Sequence, residues 1–236
     1  MRPARGLRLA GLAALFTASA FGAAAQEISG AAYADPTTRY AHGVLGDAVE
    51  WGALVIEMSD GTRRRLTLPE TRVFEDLAPR VVDVDLDGAP EVVVIESSVT
   101  EGARLAIYDE TGLVDATPHI GQPNRWLAPA AIADLDGDGQ VELAYVDRPH
   151  LAKVLRLWRF EKGRLVHLLD LPGLTNHRIG WDFIAGGLRT CPGRPPEVVL
   201  ASADWSEVLA LRFGPRRIET RELGPYRGPE SLSPRC

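Results

Sequence analysis

Apolar residues in this chain fall in short blocks separated by Gly-, Asp- and Pro-containing turns, and no long stretch repeats with the 3.6-residue period of an amphipathic helix. The blocks predict strands over 51–58, 63–68 and 72–77, then 80–83, 91–96, 104–108 and 113–118. Further strands are expected over 130–133, 142–146, 154–160 and 164–169, and over 183–187, 197–201, 208–213 and 216–223. Residues 92–95 and 198–200 are continuously apolar, the pattern of strands buried on both faces.

The strand pattern repeats. Residues 77–97 resemble 127–147, and a shift of 51 superposes Asp83 on Asp134, Asp85 on Asp136 and Glu91 on Glu142. A degenerate copy at 39–51 precedes them at a shift of 41, and a divergent one covers 182–202. Glutamates therefore recur at Glu50, Glu91, Glu142 and Glu197. Four short strands every 41–55 residues fit a propeller blade, because radial packing buries both faces of each sheet. The expected fold is all-β: a small propeller of four blades, each with four antiparallel strands. A β-sandwich, or an open arc that needs a partner, is the alternative.

Composition narrows the function classes. With 236 residues, 45% apolar and 25% charged, the chain has enough apolar content for a core. A formal charge of −6 argues against general nucleic-acid binding. Only Lys153 and Lys162 among the 26 basic residues are lysines, so arginine clusters carry little weight by themselves. Residues 1–25 read as a signal peptide: Arg2, Arg5 and Arg8, an apolar run over 9–21, and Ala23-Ala24-Ala25 before Gln26. The expected product is periplasmic or secreted, with no membrane span. Residues 26–223 form the expected repeat domain and 224–236 a Pro/Gly-rich tail. Cys191 and Cys236 are the only cysteines, and in an oxidising compartment they are expected to pair.

The pattern DxDxDGxxE occurs twice, as Asp83, Asp85, Asp87, Gly88 and Glu91, and as Asp134, Asp136, Asp138, Gly139 and Glu142. Alternate aspartates turn carboxylates inward in a tight loop, the glycine allows the turn, and the last acid closes the shell. Calcium takes roughly 6–8 oxygen ligands, and a carbonyl of Ala89 or Gln140 would add one. An EF-hand is excluded, because its twelfth loop position falls on Val94 or Tyr145 and the flanks read as strands. Metal-free Asx turns are the competing explanation.

These strand–DxDxDG–strand units resemble the FG-GAP or VCBS repeat of integrin-alpha-like propellers and secreted bacterial proteins. The resemblance implies calcium between the first two strands of a blade, here in two blades. His42, Val44 and Gly46 replace the aspartates in the first unit, while Gly186, Leu188 and an insertion with Cys191 interrupt the fourth. No calcium is expected in either.

In this arrangement the loops opposite the calcium sites gather Asn124, Arg125, Trp126, His177, Arg178, Trp181 and Trp205, alongside Arg148 and His150. Such a mixture suits a binding face for an unidentified protein or glycan. Ordinary packing of the tryptophans between blades accounts for the same residues. Pairs of His177 with Asp182 or His150 with Asp147 offer acid–base chemistry, so a glycan-directed periplasmic hydrolase stays open beside a purely structural role. No GxSxG, HExxH, GxGxxG or phosphate-binding loop is present.

Overall fold

The computed structural model describes residues 27–214 and 217–236. The leader expected over residues 1–25 lies outside them. The described chain is all-β, with one short 3-10 turn at Pro229–Leu232. Among the described residues no helix is long and apolar enough to cross a membrane.

Strands follow one another as antiparallel neighbours in four units. The third is the simplest: β9 (Leu127–Ala133), β10 (Glu142–Asp147), β11 (Val154–Glu161) and β12 (Arg164–Pro172) pair in chain order. In the second, β4 (Arg72–Phe74) and β5 (Arg80–Val82) share one edge of β6 (Glu91–Ser98), followed by β7 (Gly102–Tyr108) and β8 (Leu113–Ala116). In the fourth, β13 (Leu174–Thr175) and β14 (Gly187–Arg189) share an edge of β15 (Glu197–Ser202), with β16 (Glu207–Gly214) and β17 (Arg217–Pro225) beyond. The first comprises β1 (Ile28–Thr37), β2 (Glu50–Met58) and β3 (Arg63–Thr67), and joins the second through the pairing of Trp51 with Phe74.

The period-2 alternation of strand side chains dictates how these sheets stack. On β6, Val92 and Val94 pack with Leu54, Ile56 and Phe74 of the first unit and its boundary. Val93 and Ile95 instead face Leu143 and Tyr145 of the third. On β10, Ala144 and Val146 turn the other way, to Val198, Leu200 and Leu211 of the fourth. Every residue of β10 is buried, as an inner strand covered on both faces requires, whereas β12 and β17 are largely exposed edges. Loops connect the two ends of the series: Gly180 N–H donates to Val44 O at 3.4 Å.

The recurring glutamates mark one register position. Val82 pairs with Glu91, Ala133 with Glu142, Arg189 with Glu197 and Thr37 with Glu50. Three expectations shift. Residues 72–74, expected to finish the first unit, open the second, because Arg72 bonds Glu96 on β6 at 3.1 Å and Phe74 is buried there. The first unit starts at β1 rather than near Arg39, since the connection to Glu50 is longer than in the other units. The strand expected over 183–187 is mostly an excursion over 176–186 between β13 and β14. The chain rejoins the sheet at Gly186, where φ is +79° and an added Cβ would stand 2.2 Å from Val199 O.

The tail is ordered as well. β17 runs to Pro225, the 3-10 turn follows, and Leu232 is buried against Ala185, Val199 and Val208. The prolines and glycines of the tail thus do not prevent a regular turn there. Cys191 and Cys236 are disulfide-bonded, with Cα atoms 5.7 Å apart.

Candidate functional site: two acidic loops and the opposite face

Each acidic loop hangs between a first and a second strand, anchored by a fully buried residue, Val84 or Leu135. In the first, Asp83 accepts the N–H groups of Asp87 (3.2 Å) and Gly88 (2.9 Å), and Glu91 accepts that of Val84 (2.9 Å). The second repeats this: Asp134 accepts from Gly137 (2.7 Å), Asp138 (3.1 Å) and Gly139 (3.0 Å), and Glu142 from Leu135 (2.8 Å). These bonds curl the backbone around its own carboxylates. Leu86 and Gly137 occupy equivalent places with φ of 62° and 80°, so the leucine adopts a backbone conformation that favours glycine.

Oxygens of Asp83, Asp85 and Glu91 lie within 4.8 Å of one another, as do those of Asp134, Asp136 and Glu142. Asp87 and Asp138 stand outside these clusters and accept from the N–H groups of Ala89 (2.8 Å) and Gln140 (3.0 Å). The Gln140 side chain turns to Asp138 at 3.4 Å. Burial, reinforced by Asp85, Asp83 and Asp87, pushes the Glu91 carboxyl up to about 7. A cation would relieve that crowding, and an all-oxygen donor set suits a hard divalent ion.

The four glutamates differ in what offsets their charge. Glu142 faces Arg159 across β10 and β11. That guanidinium donates to Glu142 at 2.6 Å and to Asp136 at 3.1 Å, and pairs with Asp138 at 2.9 Å. Glu91 has no arginine partner among the described residues, and the β6–β7 pairing ends at Val92 and Tyr108, one step short of Asp109. Glu197 has Arg189 at 2.5 Å, Arg221 at 3.2 Å and Arg212 at 3.8 Å, so arginines offset its charge. Glu50 has no arginine partner among the described residues; burial, then Glu75, Asp47 and Asp76, push it up to about 9 and keep it protonated. Arg159 and these counter-charges escape a reading of the sequence, because they come from a neighbouring strand.

At the other ends of β9 and β10 lie 124–126 and 148–151. The six residues of β10 set that separation from the acidic loop at roughly 20 Å. Trp126 is buried and donates its indole N–H to Glu75 O at 2.8 Å. His177 is buried with its ring centroid 5.0 Å from that of Trp126. Its Nε2–H donates to Trp181 O at 3.0 Å, so Nδ1 accepts from His150 Nε2–H at 2.9 Å. Trp181 stacks on Phe183, meets Trp205 edge-on, and Arg178 lies 4.5 Å over the Trp205 ring. The seven expected residues thus divide: Trp126 and His177 are buried, Trp181, Trp205 and Arg178 cover the last sheet, and Asn124 and Arg125 line a cavity beside Trp126.

The acid–base pairs do not form. Asp147 is taken by Arg148 (2.8 Å) and Arg156 (3.1 Å), and His177 by His150 and Trp181. His42, Leu151 and Ile179 join the cavity unforeseen. His42 arrives because the loop over 38–49 carries it to the buried carboxylate of Glu75, 2.6 Å from its Nδ1.

Residues 83–145, which contain both acidic loops, match the family model of the FG-GAP-like repeat. This part of the chain is similar to an FG-GAP-like repeat, and that likeness suggests a β-rich module for protein interaction. No curated protein and no solved structure matches the chain.

Proposed function

We propose that the protein is an exported, calcium-braced four-bladed β-propeller that binds another protein through the face opposite its acidic loops. The observation that carries this reading is the convergence of three carboxylates at the same register position in two consecutive units. Asp83, Asp85 and Glu91 would hold one ion and Asp134, Asp136 and Glu142 the other, with Asp87 and Asp138 shaping the loops. Packing of the four units in chain order, the first two within one eight-stranded sheet, supports the propeller, and loop contact between the first and last units supports its closure. The disulfide supports an oxidising compartment.

A ligand that binds only the folded state stabilises it by RT ln(1 + [L]/Kd), about 2.7 kcal/mol at a hundredfold excess over Kd. Millimolar calcium is therefore expected to raise the melting temperature by several degrees over the chelated protein, with magnesium less effective because it favours stricter octahedral geometry. Coincident melting curves in calcium and in chelator would refute the calcium reading.

The two loops should not bind equally. Arg159 competes for the second site, and hydrogen bonds to charged groups are worth roughly 1.5–3 kcal/mol net. Arg159→Gln is expected to tighten calcium at 134–142 by about tenfold or more, and to lower the stability of the calcium-free protein. Calorimetric titration of the variant against the parent checks both effects.

A further inference from the structure

A cavity of about 230 Å³ lies beside Trp126, lined by His42, Asn124, Arg125, Arg148, His150, Leu151 and Ile179 as well. Ligand pockets for whole small molecules run to roughly 300–1,000 Å³, so this volume suits one side chain of a larger partner. Its rim carries the two most exposed large apolar residues described, Ile179 at 73% and Leu151 at 64%. Exposed aliphatics beside a buried aromatic floor are the makings of a contact anchor.

Charge indicates what enters. The chain as a whole is acidic, at −6, yet two arginines stand at this cavity. Arg148 is held by Asp147. Arg125 donates to its neighbour's carbonyl, Asn124 O, at 2.8 Å, and among the described residues no carboxylate pairs with it. Its guanidinium therefore retains donors and an unbalanced charge for a carboxylate. Asn124 and Arg148 both adopt left-handed backbone, with φ of 52° and 46°. Both are held there by contacts: Asn124 N–H donates to Tyr40 Oη at 2.8 Å, and Arg148 N–H to Trp126 O at 3.0 Å. Strained backbone of this kind gathers where side chains must be aimed.

We propose that this cavity receives an Asp or Glu side chain from a partner polypeptide, with Arg125 pairing its carboxylate and Leu151 and Ile179 covering an adjacent aliphatic or aromatic residue. The inference rests on the reading of the protein as an interaction module, and adds the chemistry of the segment that module recognises. Neutral His150, lowered to about 4 by burial and by His177, His42 and Lys153, leaves the arginines as the source of charge.

Selection of a displayed random-peptide library on the calcium-loaded full chain tests the proposal. Enriched peptides should place Asp or Glu within two positions of Leu, Ile, Val or Phe. An enriched peptide should bind Arg125→Gln at least tenfold more weakly, and its own Glu→Gln or Asp→Asn counterpart should lose the same factor on the parent but little more on the variant. Ile179→Ser should weaken the acidic and neutral peptides alike. Peptides without acids, undiminished binding to Arg125→Gln, or a library that yields no binder would each overturn the proposal. So would glutarate binding as tightly as the peptide, since the occupant would then be a free carboxylate. Calcium-dependent melting of Arg125→Gln, measured in parallel, separates failure at this cavity from failure of the calcium-braced fold.

Discussion

Glu50→Gln is expected to stabilise the protein, and the gain should grow as the pH rises. Glu50 is almost fully buried, and burial followed by the charges of Glu75, Asp47 and Asp76 raises its carboxyl to about 9. In the unfolded chain the same group ionises near its ordinary value of 4.5. Between those values the folded state holds a proton that the unfolded state has released, so stability falls with rising pH through this window. One pH unit corresponds to about 1.36 kcal/mol, so over the span from 4.5 to pH 7 the penalty reaches roughly 3.4 kcal/mol. Glutamine keeps the size and removes the ionisation. Melting temperatures of the two proteins should nearly coincide at pH 4.5 and diverge towards pH 9, with the variant higher. A difference that does not change with pH would show that Glu50 is already ionised in the fold.

Reduction of the Cys191–Cys236 bond is the second large effect. The bond closes a loop with a sequence separation of 45, for which the chain-entropy model gives about 4 kcal/mol. That loop also contains β15, β16 and β17, and the tail it pins buries Leu232 over the last sheet among Trp181, Trp205 and Tyr226. Freeing the tail therefore exposes the outer face of the fourth unit and the aromatic cluster together. Cys236→Ser should lower the melting temperature and enhance proteolysis first near the C-terminus. If the serine variant melts with the parent, the tail contributes nothing to the fold.

Strand positions were largely readable because most strands are bounded by Gly, Asp or Pro and buried on alternate faces. The recurring glutamates mark one position of the sheet register. β1 escaped notice because its sequence, ISGAAYADPT, is rich in small residues and carries a proline, so neither propensity nor apolar content marks it. The connection over 38–49 hides the register of β1 for a related reason: its extra length places Thr37, not a residue after Arg39, opposite Glu50. Gly186 and the excursion before it split one expected strand, since a bend that depends on contact with Val199 leaves no periodic signal.

The acidic loops were legible because all their carboxylates lie within nine consecutive residues. Their difference is not, since Arg159 reaches Glu142 only across a neighbouring strand and Glu91 has no such partner. The aromatic and histidine residues expected on the opposite face lie in connections between strands, but sequence position says nothing of burial. Trp126 and His177 serve as floor and support, while the exposed contact residues are Leu151 and Ile179, which no polar or aromatic criterion selects.

The central claim, that both acidic loops are cation sites braced by the fold, is tested most directly by calorimetric titration of the decalcified chain with calcium. Two ions per chain are predicted, with the site of Asp83, Asp85 and Glu91 tighter than the one guarded by Arg159. Asp83→Asn should remove the tighter event and Asp136→Asn the weaker. Titrations that show no binding, or binding that survives both substitutions together, would contradict the account.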